Sequence, residues 1–250
     1  MRAAPGFLTE REGRFLALAA AAAPAAGVIL EIGSFMGKST VGLAAVARRT
    51  GQEPVVTVDP HSAPAPTDPD LEGAASSWDA FHATVRGAGV SAFVAAHRAF
   101  SRDLAREWQR PIRLLWIDGD HTYAGAREDF ALFAPHLAPG AIIALHDVLH
   151  SYEGPLRVFI ELVLASDAFG PAGVCGSIGW AQFRPGAGQA YAGERARLAG
   201  RARRLVPFVK DGRRPTGARR LLYQLWRARV PHAAPIPAEW AARVVYLGHA

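Results

Sequence analysis

Residues 118–147 hold five side chains able to move a proton or steady a charge: Asp118, Asp120, His121, His146 and Asp147. An imidazole exchanges its proton near neutral pH, and a neighbouring carboxylate orients it and stabilises its charged form. Taken singly, each reads more simply as a polar strand end facing water. Five of them following two apolar runs read as a site.

The elements that must position them can be traced in the same stretch. The apolar run Leu114-Leu115-Trp116-Ile117 stops at Asp118-Gly119-Asp120-His121. A helix is predicted over 123–137, with Pro139-Gly140 as its stop signal. A second apolar run, 141–145, ends in His146-Asp147. As neighbouring parallel strands, the two runs carry all five groups to one sheet end, where open α/β sheets bind their ligands.

The rest of the chain repeats that alternation. Thr9-x-x-Glu12 is a capping box that opens a first helix. Strands are predicted at 28–32, 55–58 and 91–95, and helices at 39–49, 78–86, 101–109 (Ser101 as its cap) and 156–165. The runs 173–176 and 178–183 form a closing hairpin. The fold class expected is α/β: a doubly wound, Rossmann-like, mainly parallel seven-stranded sheet with helices on both faces. Residues 60–77, rich in Pro, Asp and Ser, are too long for a plain connector and read as a lid or binding loop.

Composition narrows the function classes. Half the residues are apolar and 20% are charged, as in a soluble globular protein. No apolar run approaches the roughly 20 residues of a spanning helix. The apolar stretch 15–26 follows Glu10 and Glu12, which suits an ordinary helix better than a secretory leader. Cys175 is the lone cysteine, so no disulfide frames the chain, and a cytoplasmic location is expected. The net charge of +6 is uneven: residues 1–186 carry 15 Lys and Arg against 19 Asp and Glu, a balance of −4, while 187–250 carry 13 against 3, a balance of +10. The boundary expected is therefore a folded domain over 1–186 and a basic helical C-terminal extension over 187–250.

Glu31-x-Gly33-x-x-x-Gly37 follows a strand and opens a helix, where close backbone approach and free N–H groups suit a ligand with an anionic end. Asp59 ends the next strand, where a carboxylate can accept both hydroxyls of a ribose. Gly37-Lys38-Ser39-Thr40 falls short of a phosphate loop, because only three residues separate Gly33 from Gly37; Lys38 then reads as a solvated first-turn residue. A dinucleotide fingerprint fails as well, with Phe35 where its second glycine belongs. A nucleoside without phosphates remains.

With these residues in place, the chain resembles class I S-adenosylmethionine-dependent methyltransferases, in the branch with an I-D-G-D-H-x-Y…H-D-V signature. That branch is similar to sugar and natural-product O-methyltransferases and to cephalosporin-hydroxylase-like proteins. The likeness covers roughly residues 8–184. It implies that Glu31, Gly33, Ser34 and Gly37 form the methionine-binding turn with Ser39 and Thr40 lining it. It further implies that Asp59 holds the ribose, Ser101 lies near the adenine, and Asp118 closes the cofactor site. Metal-assisted members imply a divalent ion on Asp118, His146 and Asp147; oxygen ligands suit Mg²⁺, while the imidazole draws preference toward Mn²⁺, Fe²⁺ or Zn²⁺. His146 departs from the acid usual there, so it could instead orient a carboxylate or the substrate. The candidate bases are His121 and Asp120, with His121 favoured because imidazole is matched to neutral pH. Tyr123 reads as a helix residue packing under the site; His150 and Trp180 read first as core or surface residues and second as substrate contacts.

The implied function is O-methylation of a small-molecule or glycan hydroxyl. A non-catalytic cofactor-binding or assembly module is the rival from another class. A nicotinamide oxidoreductase is disfavoured by the broken glycine pattern. The basic extension, with Leu221, Leu222, Leu225 and Trp226 on one face, reads first as helices packed on the core or on a second copy of the chain. An anionic surface or carrier comes next, and nucleic acid last, since no reading motif accompanies the charge.

Overall fold

The computed structural model describes residues 4–71, 73–210 and 213–245. One seven-stranded sheet organises them, in the order β3-β2-β1-β4-β5-β7-β6. Its strands are β1 (Val28–Ile32), β2 (Val55–Val58), β3 (Val94–His97), β4 (Ile112–Ile117), β5 (Leu137–Leu145), β6 (Phe169–Cys175) and β7 (Ile178–Phe183). The first five run parallel, and β7 enters antiparallel between β5 and β6. The closing hairpin and the mainly parallel, doubly wound sheet are as expected. Strands β1, β2 and β4 are buried along their whole length, which is why they are unbroken apolar runs instead of alternating ones.

Helices cover both faces. They are α1 (Glu10–Ala22), α2 (Lys38–Thr50), α3 (Trp78–Gly87), α4 (Ser101–Ala105), α5 (Tyr123–Phe133), α6 (Glu153–Val158), α7 (Ala192–Arg203), α8 (Gly217–Arg227) and α9 (Pro237–Val244). One apolar core gathers Leu30, Leu115, Ile143 and Phe159, and the other gathers Phe15, Leu43, Trp116 and Ile142. Arg113 fastens α1 to the sheet by donating to the carbonyls of Ala20 and Ala23 at 2.7 and 2.8 Å, which satisfies groups the helix end leaves open. Among the described residues no helix is long and apolar enough to cross a membrane.

Several local expectations differ. Helix α5 ends at Phe133, and Pro139-Gly140 lie inside β5, not at a helix stop. The pairing shifts there, from Ile112–Leu137 to Leu114–Ile142, so the missing proline N–H and the left-handed Gly140 (φ 88°) fall in a bulge. Residues 91–93 form a 3₁₀ turn before β3, and α4 is one turn long with Phe100 at its N-cap in place of Ser101. Lys38 is only partly exposed: its Nζ donates to the Gly6 carbonyl at 2.8 Å and straps the N-terminal segment to α2.

Residues beyond 186 pack on the sheet. Arg195 is 1% exposed, reaching Asp167 at 2.8 Å and the Gly188 carbonyl at 2.6 Å. Trp240 stacks edge-on with Phe15 and Trp180. Of the face of α8 expected to pack, Trp226 does lie against the core, whereas Leu221, Leu222 and Leu225 are 73, 48 and 49% exposed. The buried residue of α8 is Tyr223, whose hydroxyl donates to the Leu149 carbonyl at 2.8 Å, so the helix docks through a turn neighbouring that stripe.

Candidate active site

The order of the strands reverses between β1 and β4, and the crevice at their C-terminal ends is the place a parallel sheet offers a ligand. A cavity of about 950 Å³ opens there, lined by the ends of β1, β2, β4 and β5 and by loop 60–77. Four non-glycine residues among those described have left-handed backbone, Phe35, His61, Ala63 and Asp147, and all four line this cavity. Strain of this kind persists where the surrounding structure over-determines it, and it gathers at functional sites.

The glycine turn is built by close contact. Gly33 has φ 83°, and a Cβ there would stand 2.2 Å from the Asp118 carbonyl oxygen, so only glycine lets β1 and β4 end side by side. Asp59 holds the turn open: its Oδ2 accepts from the N–H groups of Ser34 and Phe35, both at 2.8 Å, and its Oδ1 from that of His61 at 2.6 Å. The donors that would face a pyrophosphate in a dinucleotide site are thus already used. Glu31 is fully buried behind the turn and takes the hydroxyls of Ser39 and Thr40, each at 2.5 Å. Burial raises its carboxyl to about 7 in spite of those hydrogen bonds. Gly33, Ser34, Ser39, Asp59 and Ser101 line the cavity, whereas Glu31, Gly37 and Thr40 support it from behind. The Ser101 hydroxyl is turned to Asp129, a buried acid also raised to about 7 by burial, which the sequence reading did not single out.

Across the crevice the predicted cluster does assemble. His146 Nδ1 lies 3.0 Å from Asp118 Oδ1, and His121 Nε2 lies 3.6 Å from Asp118 Oδ1 and 3.4 Å from Asp147 Oδ2. Both nitrogens of His121 and Nε2 of His146 are buried without a hydrogen-bond partner, so the contacts of His121 are ion pairs rather than hydrogen bonds. Burial opposes charge on His121, but the two carboxylates outweigh it and raise the imidazole to about 9; His146 is likewise raised, by Asp118, Glu12 and Asp147 against burial. The imidazoles in turn pull Asp147 down to about 2 and Asp118 below its usual range, again against burial.

Asp120 stands apart from that cluster. Its oxygens accept from the Thr122 N–H at 2.8 Å, the Thr122 hydroxyl at 2.9 Å and the Thr67 hydroxyl at 3.0 Å, so it ties loop 60–77 to the start of α5. Tyr123 is not under the site; its hydroxyl donates at 2.6 Å to Glu161, in the π-helical turn Phe159–Leu164 that continues α6, and Arg157 of α6 lies over its ring. Trp180 sits in the core, while His150 lines the cavity.

Glu12 is the member that the sequence concealed. The capping box is present, with Thr9 as N-cap. The same carboxylate accepts from the N–H and hydroxyl of Ser177, both at 2.7 Å, and approaches His146 Nε2 to 3.8 Å. Its pKa lies well below the glutamate range: burial opposes this, but the nearby His146 imidazole and hydrogen bonds from Thr9 and Ser177 overcome it. Among the described residues no group of three or more His, Cys, Asp or Glu side chains is set as a preformed metal site.

Residues 30–148 match a family model described as a methyltransferase domain. Over that stretch the chain is similar to this family, in keeping with its resemblance to methyltransferases. Similar solved structures include the O-methyltransferase from Bacillus cereus in complex with SAH (21% identity, TM-score 0.51, 70% of this chain and 82% of that one). TomG, the O-methyltransferase of tomaymycin synthesis from Streptomyces achromogenes, solved with SAM, is 19% identical (TM-score 0.53, 72% and 82% covered). The O-methyltransferase NovP is 12% identical (TM-score 0.56, 70% and 80% covered). At these identities the likeness is one of fold.

Proposed function

We propose that this methyltransferase domain moves the methyl group of S-adenosylmethionine to a hydroxyl of a small molecule or glycan, in the cytoplasm. The observation that carries the reading is the meeting, in one crevice, of the Gly33–Asp59 turn with the Asp118–His121–His146–Asp147 cluster. The turn offers the nucleoside a surface without phosphate donors, and Asp59 Oδ1 retains acceptor capacity toward a ribose. The acceptor oxygen attacks the methyl carbon in line, the carbon–sulfur bond breaks with its electron pair going to sulfur, and the hydroxyl proton passes to a base.

His121 is placed for that proton. Asp118 and Asp147 fix its ring and stabilise its charged form, whereas the oxygens of Asp120 are committed to Thr122 and Thr67. Asp118, Asp147 and His146 fit a divalent ion in their chemistry: two carboxylates, and an imidazole whose Nδ1 faces both. Such an ion, when bound, lowers the pKa of the acceptor hydroxyl and orients it.

The pH dependence of transfer to a hydroxylated acceptor tests this. Neutral His121 is the active form, so kcat/KM measured with chelator rises with pH toward about 9. Added Mg²⁺ or Mn²⁺ moves the rise to lower pH, because a cation beside Asp118 and Asp147 opposes protonation of the imidazole. A profile flat between about pH 6 and 9 under both conditions contradicts His121 as the base.

A further inference from the structure

Past Asp147 the crevice gains a wall from the C-terminal extension, and that wall is basic. Arg214 and Arg227 both line the cavity. Arg214 Nη2 lies 3.5 Å from His150 Nε2. The His150 ring stacks on Tyr152 at 5.4 Å, and Tyr152 leans over His121 at 4.5 Å. Arg227 donates its Nε–H to the Leu149 carbonyl at 3.2 Å, two residues from Asp147. A chain of contacts therefore joins the two guanidinium groups to the reacting end of the site.

Their lack of acidic partners is informative. Arg195 and Arg243 of the same extension are paired with Asp167 and Glu194. Among the described residues neither Arg214 nor Arg227 stands within ion-pair distance of a carboxylate. Guanidinium presents a planar fork of N–H donors that matches a carboxylate or phosphate, and a crevice wall focuses its field on whatever enters.

We propose that Arg214 and Arg227 recognise an anionic group, carboxylate or phosphate, on the acceptor itself. The anion sits against the extension while the hydroxyl reaches His121, and one aromatic or sugar ring spans the gap along His150 and Tyr152. This assignment rests on the methyl-transfer reading above and adds the charge of the substrate to it. It also gives the extension a part in the site that a purely structural appendage would lack.

The test is calorimetry on the full chain saturated with S-adenosylhomocysteine, using two matched pairs of probes. One pair is 3,4-dihydroxybenzoate and its neutral carboxamide; the other is glucose 1-phosphate and glucose. The charged member of the pair that matches the natural anion binds about tenfold or more tightly than its neutral partner, and the difference shrinks as salt is raised. Arg214→Gln with Arg227→Gln removes the difference, while S-adenosylhomocysteine affinity stays within about twofold. Arg214 is exposed, so Arg214→Gln alone, with a loss of about threefold, serves if the double variant is unstable. No preference in either pair, or a preference that survives the substitutions, overturns the assignment. Failure of the unaltered protein to bind S-adenosylhomocysteine strikes instead at the methyl-transfer reading.

Discussion

His121→Ala is expected to lower kcat by about 100- to 10,000-fold while affinity for S-adenosylhomocysteine stays within about twofold. The split follows from geometry. His121 contacts Asp118 and Asp147, and among the described residues its hydrogen bonds and ion pairs do not reach the Gly33–Asp59 turn that would hold the nucleoside. Removing it takes away the proton acceptor and leaves the cofactor's surface in place. Asp120→Asn has a different signature: it loosens the tie between loop 60–77 and α5, so it disturbs KM and stability more than the proton-transfer step. A His121→Ala protein with more than about half of normal kcat would remove His121 from the mechanism. A protein whose only measurable function is partner binding, indifferent to this substitution, would be a cofactor-binding module instead of an enzyme.

The second large effect concerns Glu12, and it is one of stability. Its carboxylate is 5% exposed and accepts hydrogen bonds from Thr9 and Ser177 while facing His146. Glu12→Ala strands the Ser177 N–H and takes from the charged His146 the carboxylate nearest its Nε2, leaving Asp118 and Asp147 on the Nδ1 side. Removing one partner from a buried charged cluster costs about 3–5 kcal/mol, which for a chain of this size lowers Tm by roughly 6–20 °C. Glu12→Gln keeps an acceptor for Ser177 and loses less. The pH dependence has a definite sign: a carboxyl held below its unfolded pKa stabilises the fold fully above that value and loses its contribution as pH falls through the folded one. The Tm gap between the natural protein and Glu12→Gln therefore narrows below about pH 4. A gap of under about 2 °C at neutral pH in Glu12→Ala would show that the contacts of Glu12 contribute little.

What could be read in the sequence, and what could not, divides by the distance over which each signal acts. Strands β1, β2 and β4 announce themselves because full burial forces unbroken apolar runs. Asp118, His121, His146 and Asp147 converge because they follow two such runs that pair in register, Ile117 beside Leu145. Glu12 was legible only as a helix cap; its bonds to Ser177 span 165 positions, and no local pattern records them. Ser39 and Thr40 sit where the cofactor turn was expected, yet their hydroxyls satisfy Glu31, a buried acid that must find donors. Pro139-Gly140 has the composition of a helix stop, but tertiary pairing of β5 with β4 absorbs it as a bulge. The charge of the C-terminal extension could be counted, whereas its distribution among structural pairs, cavity wall and exposed α8 face depends on the fold of the whole chain.

The central claim is that the crevice between β1 and β4 receives S-adenosylmethionine. Titrating S-adenosylhomocysteine into the intact protein, with NADH in a parallel cell, tests it most directly. One nucleoside per chain with a Kd on the order of micromolar, and no heat from NADH, is the predicted result. Heat from NADH alone, or none from S-adenosylhomocysteine with or without Mg²⁺, would contradict the account.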